Sequence, residues 1–262
     1  MSSMNRLSTE QRVQVIKALV EGNSLRATAR MTGAARMTGE KLLRDLSAAC
    51  IRYQDKHLRN LRCKRIQCDE IWSFVYAKQK NVPTDKQGYF GYGDVWTWVA
   101  IDAGSKLAVS WLVADRGAAS AFALMDDLSS RLAHRVQLTT DGHRVYLDAV
   151  ESTFGSGIDY SMLIKIYGND RDQEATHIPA QCIGSRCIPI IGNPDPMHVS
   201  TGFVERQNLT KKVENHMQSV ALHFMYYNFV RIHQTLRVTP AMAAGISTKV
   251  WEVEDMMALL SN

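Results

Sequence analysis

The sequence has few cysteines, and their spacing does not fit a metal site or a disulfide framework. No Cys-x-x-Cys pair occurs, and an odd number of cysteines cannot close a full set of disulfides. We therefore expect no structural zinc site and reduced thiols in a cytoplasmic protein, at Cys50, Cys63, Cys68, Cys182 and Cys187.

Long hydrophobic runs are absent as well. The sequence has no uncharged apolar run of roughly 18 residues, the length of a membrane span, and the leading MSSMNRLSTEQ is too polar for a signal peptide. We expect neither a membrane partner nor export. Lys and Arg outnumber Asp and Glu by only 31 to 26. That surplus is compatible with a polyanionic partner without requiring one.

The first 50 residues predict three helices. Ser8 begins the first, the second covers residues 25–31, and the third covers residues 35–50 after a turn that contains Gly33. A short helix, a turn and a longer basic helix are typical of a helix-turn-helix DNA-binding domain, which we predict over residues 1–50. A small helical bundle with a solvated basic face is the alternative. The candidate DNA contacts are Arg36, Lys41 and Arg44.

The rest of the chain predicts an α/β domain. Residues 51–65 are polar and basic and are predicted to link it to the helices before it. Strands rich in Val, Ile, Trp and Tyr are predicted at 66–77, 94–101, 106–114, 136–140 and 160–167, and helices at 118–133 and 145–153. This order is that of an RNase H-like mixed sheet with flanking helices. The chain is mostly helical after Thr201, so we predict a catalytic domain with a helical C-terminal region over residues 66–262.

Three acidic residues stand at positions that suit a catalytic site. Asp69 lies inside the first predicted strand, where acids are unusual. Asp141 directly follows a short strand, at the end where α/β sheets place ligands. Glu205 lies near the start of a helix. Because side chains alternate along a strand, we expect that either Asp69 or the adjacent Glu70, but not both, serves this site.

Three carboxylates from different elements can hold two divalent ions, which assist phosphodiester cleavage by stabilising the attacking and leaving oxygens. Oxygen ligands without a Cys or His set favour Mg²⁺ or Mn²⁺. Each acid alone is equally well explained as a surface or capping residue. Lys212 lies two turns after Glu205, where it could contact a DNA phosphate or be merely solvated.

Five segments resemble transposases of the IS1 family of bacterial insertion sequences: CDEIWSFV (68–75), GDVWTWVAID (93–102), TTDGH (139–143), FVERQNLT (203–210) and the region from KKVENH to MAAG (211–245). The resemblance implies a DDE-type catalytic domain with Asp69, Asp141 and Glu205 as metal ligands, and a helix-turn-helix that binds terminal inverted repeats. The implied reaction is nicking at the ends of the element, then attack of the freed 3′-OH on target DNA. The implied location is the bacterial cytoplasm, at the nucleoid.

Further DNA contacts follow from the same resemblance. Arg206 and Lys212 flank the segment after Glu205, and Arg231 and His233 belong to a stretch like a helix end of integrase-like recombinases. The alternative for that stretch is structural, with its aromatic residues packing the helix and Thr239 capping the next one. Because strand transfer joins two ends, we expect at least a dimer on double-stranded DNA.

The chain departs from the family pattern where Thr210 runs directly into Lys211, since the family has a longer Arg-rich stretch there. This departure keeps a second hypothesis open, an internally deleted copy that only binds inverted repeats. A stand-alone RNase H-fold nuclease is a third hypothesis, which the predicted sequence-reading module disfavours.

Overall fold

The computed structural model describes residues 7–89, 91–167, 182–205 and 216–261. The chain divides into two compact units. Unit 1 comprises Met1–Leu61, Trp72–Trp96 and Leu209–Asn262, and unit 2 comprises Arg62–Ile71 and Thr97–Asn208. These boundaries differ from the predicted division at residues 50 and 65, because the C-terminal helices group with the N-terminal ones and not with the sheet.

A six-stranded mixed sheet provides the framework of the α/β part. Its strands are β1 (Arg65–Val75), β2 (Gly93–Asp102), β3 (Ala108–Ala114), β4 (Gln137–Asp141), β5 (Asp159–Tyr167) and β6 (Cys182–Ile191). The order across the sheet is β3-β2-β1-β4-β5-β6. β1 and β4 are parallel, as are β4 and β5, whereas β5 and β6 are antiparallel. The arrangement is consistent with the predicted RNase H-like sheet.

Helix α4 (Ala118–Arg131) connects β3 to β4, and helix α5 (Val145–Phe154) connects β4 to β5. The two helices pack against each other. The strand β2, which lies between β3 and β1, contains the run Trp98–Ile101, which is fully buried. A continuous apolar run is expected where a strand is covered on both faces. The predicted order of three strands, helix, strand, helix and strand is confirmed for these elements.

The sixth strand was not predicted. β6 contains Gly184 and Pro189, residues that are depleted in strands, and most of its side chains are exposed. Proline is tolerated at a sheet edge because an edge strand needs fewer backbone donors. The pairing of β6 with β5 therefore depends on tertiary context that the local sequence does not indicate.

Unit 1 is mostly helical, with the last residues of β1 and the first of β2 beside its helices. Its helices are α1 (Thr9–Val20), α2 (Leu25–Thr32), α3 (Arg36–His57), α7 (His216–Phe229), α8 (Pro240–Ala243) and α9 (Val253–Ala258). A short helix, α6 (Gly202–Glu205), belongs to unit 2. The predicted cap of α1 is confirmed, because Ser8 and Gln11 form a capping box. Thr239 caps α8, with Pro240 in its first turn. Gly33 ends α2 with φ of 71°.

The predicted linker over residues 51–65 differs from the structure, in which α3 continues to His57. The reason is packing against distant elements. Tyr53 stacks on His57 and makes an edge contact with Phe229, and its ring also lies 5.0 Å from that of Trp251. A polar, basic stretch is therefore held as helix by aromatic partners far away in the sequence.

Among the residues described, no helix combines the length and apolar character needed to cross a membrane. All five cysteines are free thiols, as expected, with Cys50, Cys63 and Cys68 buried. Burial raises the pKa of Cys50 and of Cys63 to about 12, which disfavours the thiolate form of these two thiols.

Candidate metal centre

Asp69 and Asp141 come together where the parallel pairing of β1 with β4 ends. The paired register of β1 with β4 runs from Arg65 opposite Gln137 to Cys68 opposite Thr140. Asp69 is the next residue on β1, and Asp141 is the last residue of β4. Asp69 lies within β1 and Asp141 ends β4, and the parallel register brings the two acids side by side.

Glu70 joins these two acids, which the alternation of side chains had not predicted. One carboxylate oxygen from each of Asp69, Glu70 and Asp141 lies within 4.8 Å of the other two. The Asp69 carboxylate turns toward its neighbour and accepts a hydrogen bond of 2.8 Å from the Glu70 backbone N–H. The structure therefore brings the carboxylates of both adjacent acids close to Asp141, whereas the alternation of side chains had placed them on opposite faces of the strand. The reason is that strand pairing with β4 has ended and both side chains reach the end of that strand.

Arg116 and a backbone amide neutralise part of this negative charge. The Arg116 Nε donates to Glu70 Oε2 at 3.0 Å, and its Nη2 lies 3.7 Å from Asp141 Oδ2. The His143 N–H donates to Asp141 Oδ1 at 3.1 Å. Arg116 stands directly before Gly117, which precedes α4, so the guanidinium reaches the acids from a different element.

Burial and mutual repulsion raise the pKa values of two of the acids. The pKa of Asp69 rises to about 7, mainly because burial disfavours its charge and secondarily because of the Asp141 charge. Burial also raises the pKa of Glu70, as does Asp141, although Tyr146 and Arg116 oppose this. A cluster of acids with raised pKa values in a partly enclosed site is typical of functional centres.

Buried polar atoms beside the acids indicate that the site suits a cation. Glu70 Oε1 and the Tyr146 hydroxyl are both buried, and neither has a partner at hydrogen-bond geometry. A hydrogen-bonding interaction with the Tyr146 hydroxyl nevertheless lowers the pKa of Glu70, so these two groups face each other. Hard carboxylate oxygens with an unsatisfied acceptor among them fit Mg²⁺ or Mn²⁺.

The backbone of α6 is anchored beside β1. The Phe203 N–H donates to the Gln67 side-chain oxygen at 3.1 Å, two residues before Asp69 on β1. Gln67 is buried, and so is Val204 on the short helix. Glu205 ends this helix, but its side chain lies outside the described part of the structure, as do Arg206 and Lys212 entirely. The role of these three residues remains a prediction.

The predicted DNA contacts on α3 are exposed. Arg36, Lys41 and Arg44 all lie on the solvent side of the helix. Lys41 pairs with Asp45 at 2.5 Å, and Arg44 lies 4.0 Å from the same carboxylate. Exposed ion pairs of this kind are weak and can be exchanged for phosphate contacts at little cost.

The C-terminal candidates occupy the turn after α7. Arg231 is exposed, and the His233 ring nitrogen Nδ1 lies 3.0 Å from the Thr235 hydroxyl. The His233 N–H donates to the Val238 carbonyl at 3.0 Å, which closes the turn. The aromatic residue Phe229 of α7 is fully buried, so the structural alternative for this stretch fits the packing. Binding of DNA by Arg231 and His233 remains a prediction.

Sequence reasoning missed Glu70, Arg116, Tyr146 and Gln67. Glu70 was visible as the second acid of the CDEIW segment, but the rule of alternation argued against it. Arg116 and Tyr146 carry no local signal, because they reach the acids only through the packing of the segments around α4 and α5 on the sheet.

No protein-family model and no curated protein matches this chain. A solved structure of the Mos1 strand transfer complex is similar over 61% of this chain and 60% of the Mos1 chain, with 12% identity and a TM-score of 0.26. A synaptic complex of piggyBac transposase with hairpin DNA is similar over 99% of this chain and 72% of that one, with 10% identity and a TM-score of 0.43. This chain thus spans under two thirds of the Mos1 chain, and TM-scores this low carry no argument about its activity.

Proposed function

We propose that this chain is a DDE-type transposase of the IS1 kind, with Asp69, Asp141 and Glu205 as the acids that hold two Mg²⁺ or Mn²⁺ ions. One observation carries the proposal: the carboxylates of Asp69, within β1, and Asp141, at the end of the parallel strand β4, converge. The sequence segments that resemble the IS1 family contain both of these acids and Glu205. The anchoring of α6 beside β1 supports the assignment of Glu205.

The proposed reaction has two steps. First, water attacks the phosphodiester at the end of the element, the bond from phosphorus to the 3′ oxygen breaks, and a 3′-OH is released. Second, that 3′-OH attacks a phosphodiester of the target DNA and replaces its leaving oxygen. Bound divalent ions would supply charge stabilisation for the attacking and leaving oxygens. No bond between protein and DNA forms.

The residues of the chain would have separate tasks. Asp69 and Asp141 would fix the site on two paired strands of the sheet, and the His143 N–H holds the Asp141 carboxylate in orientation. The exposed Arg36, Lys41 and Arg44 of α3 would bind the terminal repeats, with their phosphate contacts making affinity depend on salt. At least two copies would act together on DNA, because two ends are joined.

The proposal is tested with the purified chain, a labelled duplex that carries the terminal inverted repeat of the element, and Mg²⁺ or Mn²⁺. We expect nicking at the repeat end that requires the metal and is lost in Asp141→Asn. The matched control is Asp126→Asn, an exposed acid on α4, which should nick as the unaltered protein does.

Three results would contradict the proposal in different ways. Binding of the repeat without nicking would identify a repeat-binding protein that lacks catalysis, the second hypothesis from the sequence. Metal-dependent cleavage without preference for the repeat would identify a structure-directed nuclease. Nicking that persists in Asp141→Asn would remove this acid from the active site.

A further inference from the structure

We infer that Glu70 is a fourth carboxylate of the metal centre and that Arg116 is its resident counter-ion, which a divalent ion displaces. The inference rests on the proposed function, because it assigns two more residues to the same centre. Before a metal ion binds, Arg116 offsets part of the negative charge of the carboxylates, and the ion takes its place.

The first observation is the state of the Glu70 carboxylate. Its side chain has no exposed surface, and Oε2 accepts the hydrogen bond from Arg116. The other oxygen, Oε1, is buried without a hydrogen-bond partner. Burying a carboxylate with one unsatisfied oxygen is costly, and in proteins such groups are paired or coordinate metals. Glu70 therefore has one oxygen held by a cation already present, while the other forms no hydrogen bond of standard geometry in a carboxylate that Tyr146 also faces.

The second observation concerns Tyr146, which reaches Glu70 from α5. The Tyr146 hydroxyl is fully buried, has no partner at hydrogen-bond geometry, and lies beside Glu70. A buried hydroxyl without a partner costs about 1–3 kcal/mol, so folded proteins rarely keep one without a reason. The carboxylate of Glu70 on β1 and the hydroxyl of Tyr146 on α5 therefore interact without a hydrogen bond of standard geometry, which leaves the Glu70 oxygen able to bind a cation.

The third observation is the position of Arg116. Its guanidinium contacts Oε2 of Glu70 at 3.0 Å and approaches Oδ2 of Asp141 to 3.7 Å, so it bridges two of the clustered carboxylates. Its side chain is 42% exposed, which gives the guanidinium a path to solvent. A cation that bridges the ligands competes directly with any other cation for them.

The backbone around Arg116 is fixed while its side chain has this path. The neighbouring Asp115 carbonyl accepts a hydrogen bond of 2.8 Å from the Trp98 ring, and the Asp115 carboxylate accepts another of 2.8 Å from the Gly117 N–H. The Arg116 carbonyl lies 3.2 Å from His143 Nε2. A displaced guanidinium would therefore stay close to the site, where a DNA phosphate is its natural partner.

Charge balance fits this exchange. Asp69, Glu70, Asp141 and the proposed Glu205 would carry four negative charges when ionised, which two divalent ions neutralise without help. Before an ion binds, Arg116 is the cation in contact with the described carboxylates Glu70 and Asp141. Once ions bind, its positive charge is released for substrate.

The test is calorimetric titration of the full chain with Mn²⁺ alone at pH 7.5, without DNA. We expect Glu70→Gln to weaken Mn²⁺ binding at least tenfold, because a direct ligand is lost. We expect Arg116→Gln to tighten Mn²⁺ binding several-fold, because the competing cation is gone. Glu151→Gln, an exposed acid on α5, is the matched control and should leave the affinity unchanged.

The two variants are expected to change Mn²⁺ affinity in opposite directions, which distinguishes displacement of Arg116 by the ion from an ordinary structural ion pair. If Arg116 only stabilised the fold, Arg116→Gln would weaken Mn²⁺ binding or leave it unchanged, and the inference would be overturned. Unchanged affinity in Glu70→Gln would overturn it as well. Should Glu70→Gln fail to fold, as judged by circular dichroism, the direction of the Arg116→Gln effect decides alone.

Failure of the proposed function is distinguishable from failure of this inference. If Asp141→Asn loses Mn²⁺ binding while Glu70→Gln retains it, the metal centre is supported and only the role of Glu70 is refuted. If the unaltered chain binds no Mn²⁺, the proposed metal centre is refuted, and so are the roles of Glu70 and Arg116 in it.

Discussion

Replacing Asp69 by Asn should stabilise the metal-free protein, and increasingly so as pH rises. The pKa of Asp69 is raised from 3.8 to about 7, first by burial and then by the Asp141 charge. The folded state therefore binds a proton that the unfolded state has already released. The contribution of Asp69 to stability is fully present below pH 3.8 and is lost as pH rises through about 7.

The magnitude follows from the difference between the two pKa values. Each pKa unit is worth about 1.4 kcal/mol, so at pH 8 the ionised Asp69 costs up to about 4 kcal/mol and at pH 5 up to about 2 kcal/mol. These are upper limits, because the carboxylate keeps partial contact with water. Asn removes the cost and retains an oxygen that can accept from the Glu70 N–H.

Urea unfolding in EDTA at pH 5 and pH 8 measures this effect, with Asp126→Asn as the exposed control. The variant should be more stable than the unaltered chain at both pH values, with an advantage larger by roughly 2–3 kcal/mol at pH 8. Adding Mn²⁺ should reverse the order, because only the unaltered chain gains stability from the ion. Destabilisation by Asp69→Asn at pH 8, or an equal effect at both pH values, would refute the reasoning.

Three further predictions concern other parts of the chain. Gly39→Ala should raise the free energy of unfolding by about 1 kcal/mol, because a Cβ there makes only ordinary contacts, at 3.8 and 3.9 Å, with apolar side chains; destabilisation in urea would contradict this. Gln67→Ala should cost about 1 kcal/mol through the lost bond to Phe203 and slow nicking more than Gln79→Ala does. Arg44→Ala should weaken binding of the repeat and lower its salt slope by about 1 in a filter-binding titration; an unchanged slope would exclude a phosphate contact.

The part of the site that follows from the sequence is the pair Asp69 and Asp141. Residues typical of strands predicted the elements that carry these two acids, and parallel pairing then places them together. Glu70 was excluded by the alternation of side chains, since that rule describes directions along a regular, paired strand. It does not describe how far a carboxylate can reach once pairing with the neighbouring strand has ended.

Other features depend on partners distant in the sequence. The continuation of α3 through Tyr53 rests on contacts with Phe229 and Trp251, which no local pattern indicates. The edge strand β6 contains Pro189 and owes its conformation to pairing with β5. Local propensity is a weak guide wherever tertiary packing decides the conformation.

The most direct test of the central claim is a crystal structure of the chain grown with Mn²⁺, measured for the anomalous scattering of manganese. We expect manganese bound by carboxylate oxygens of both Asp69 and Asp141, and no such signal there in crystals of Asp141→Asn. Manganese that avoids these two acids in the unaltered chain, at concentrations that support nicking, would contradict the assignment of this site as the catalytic metal centre.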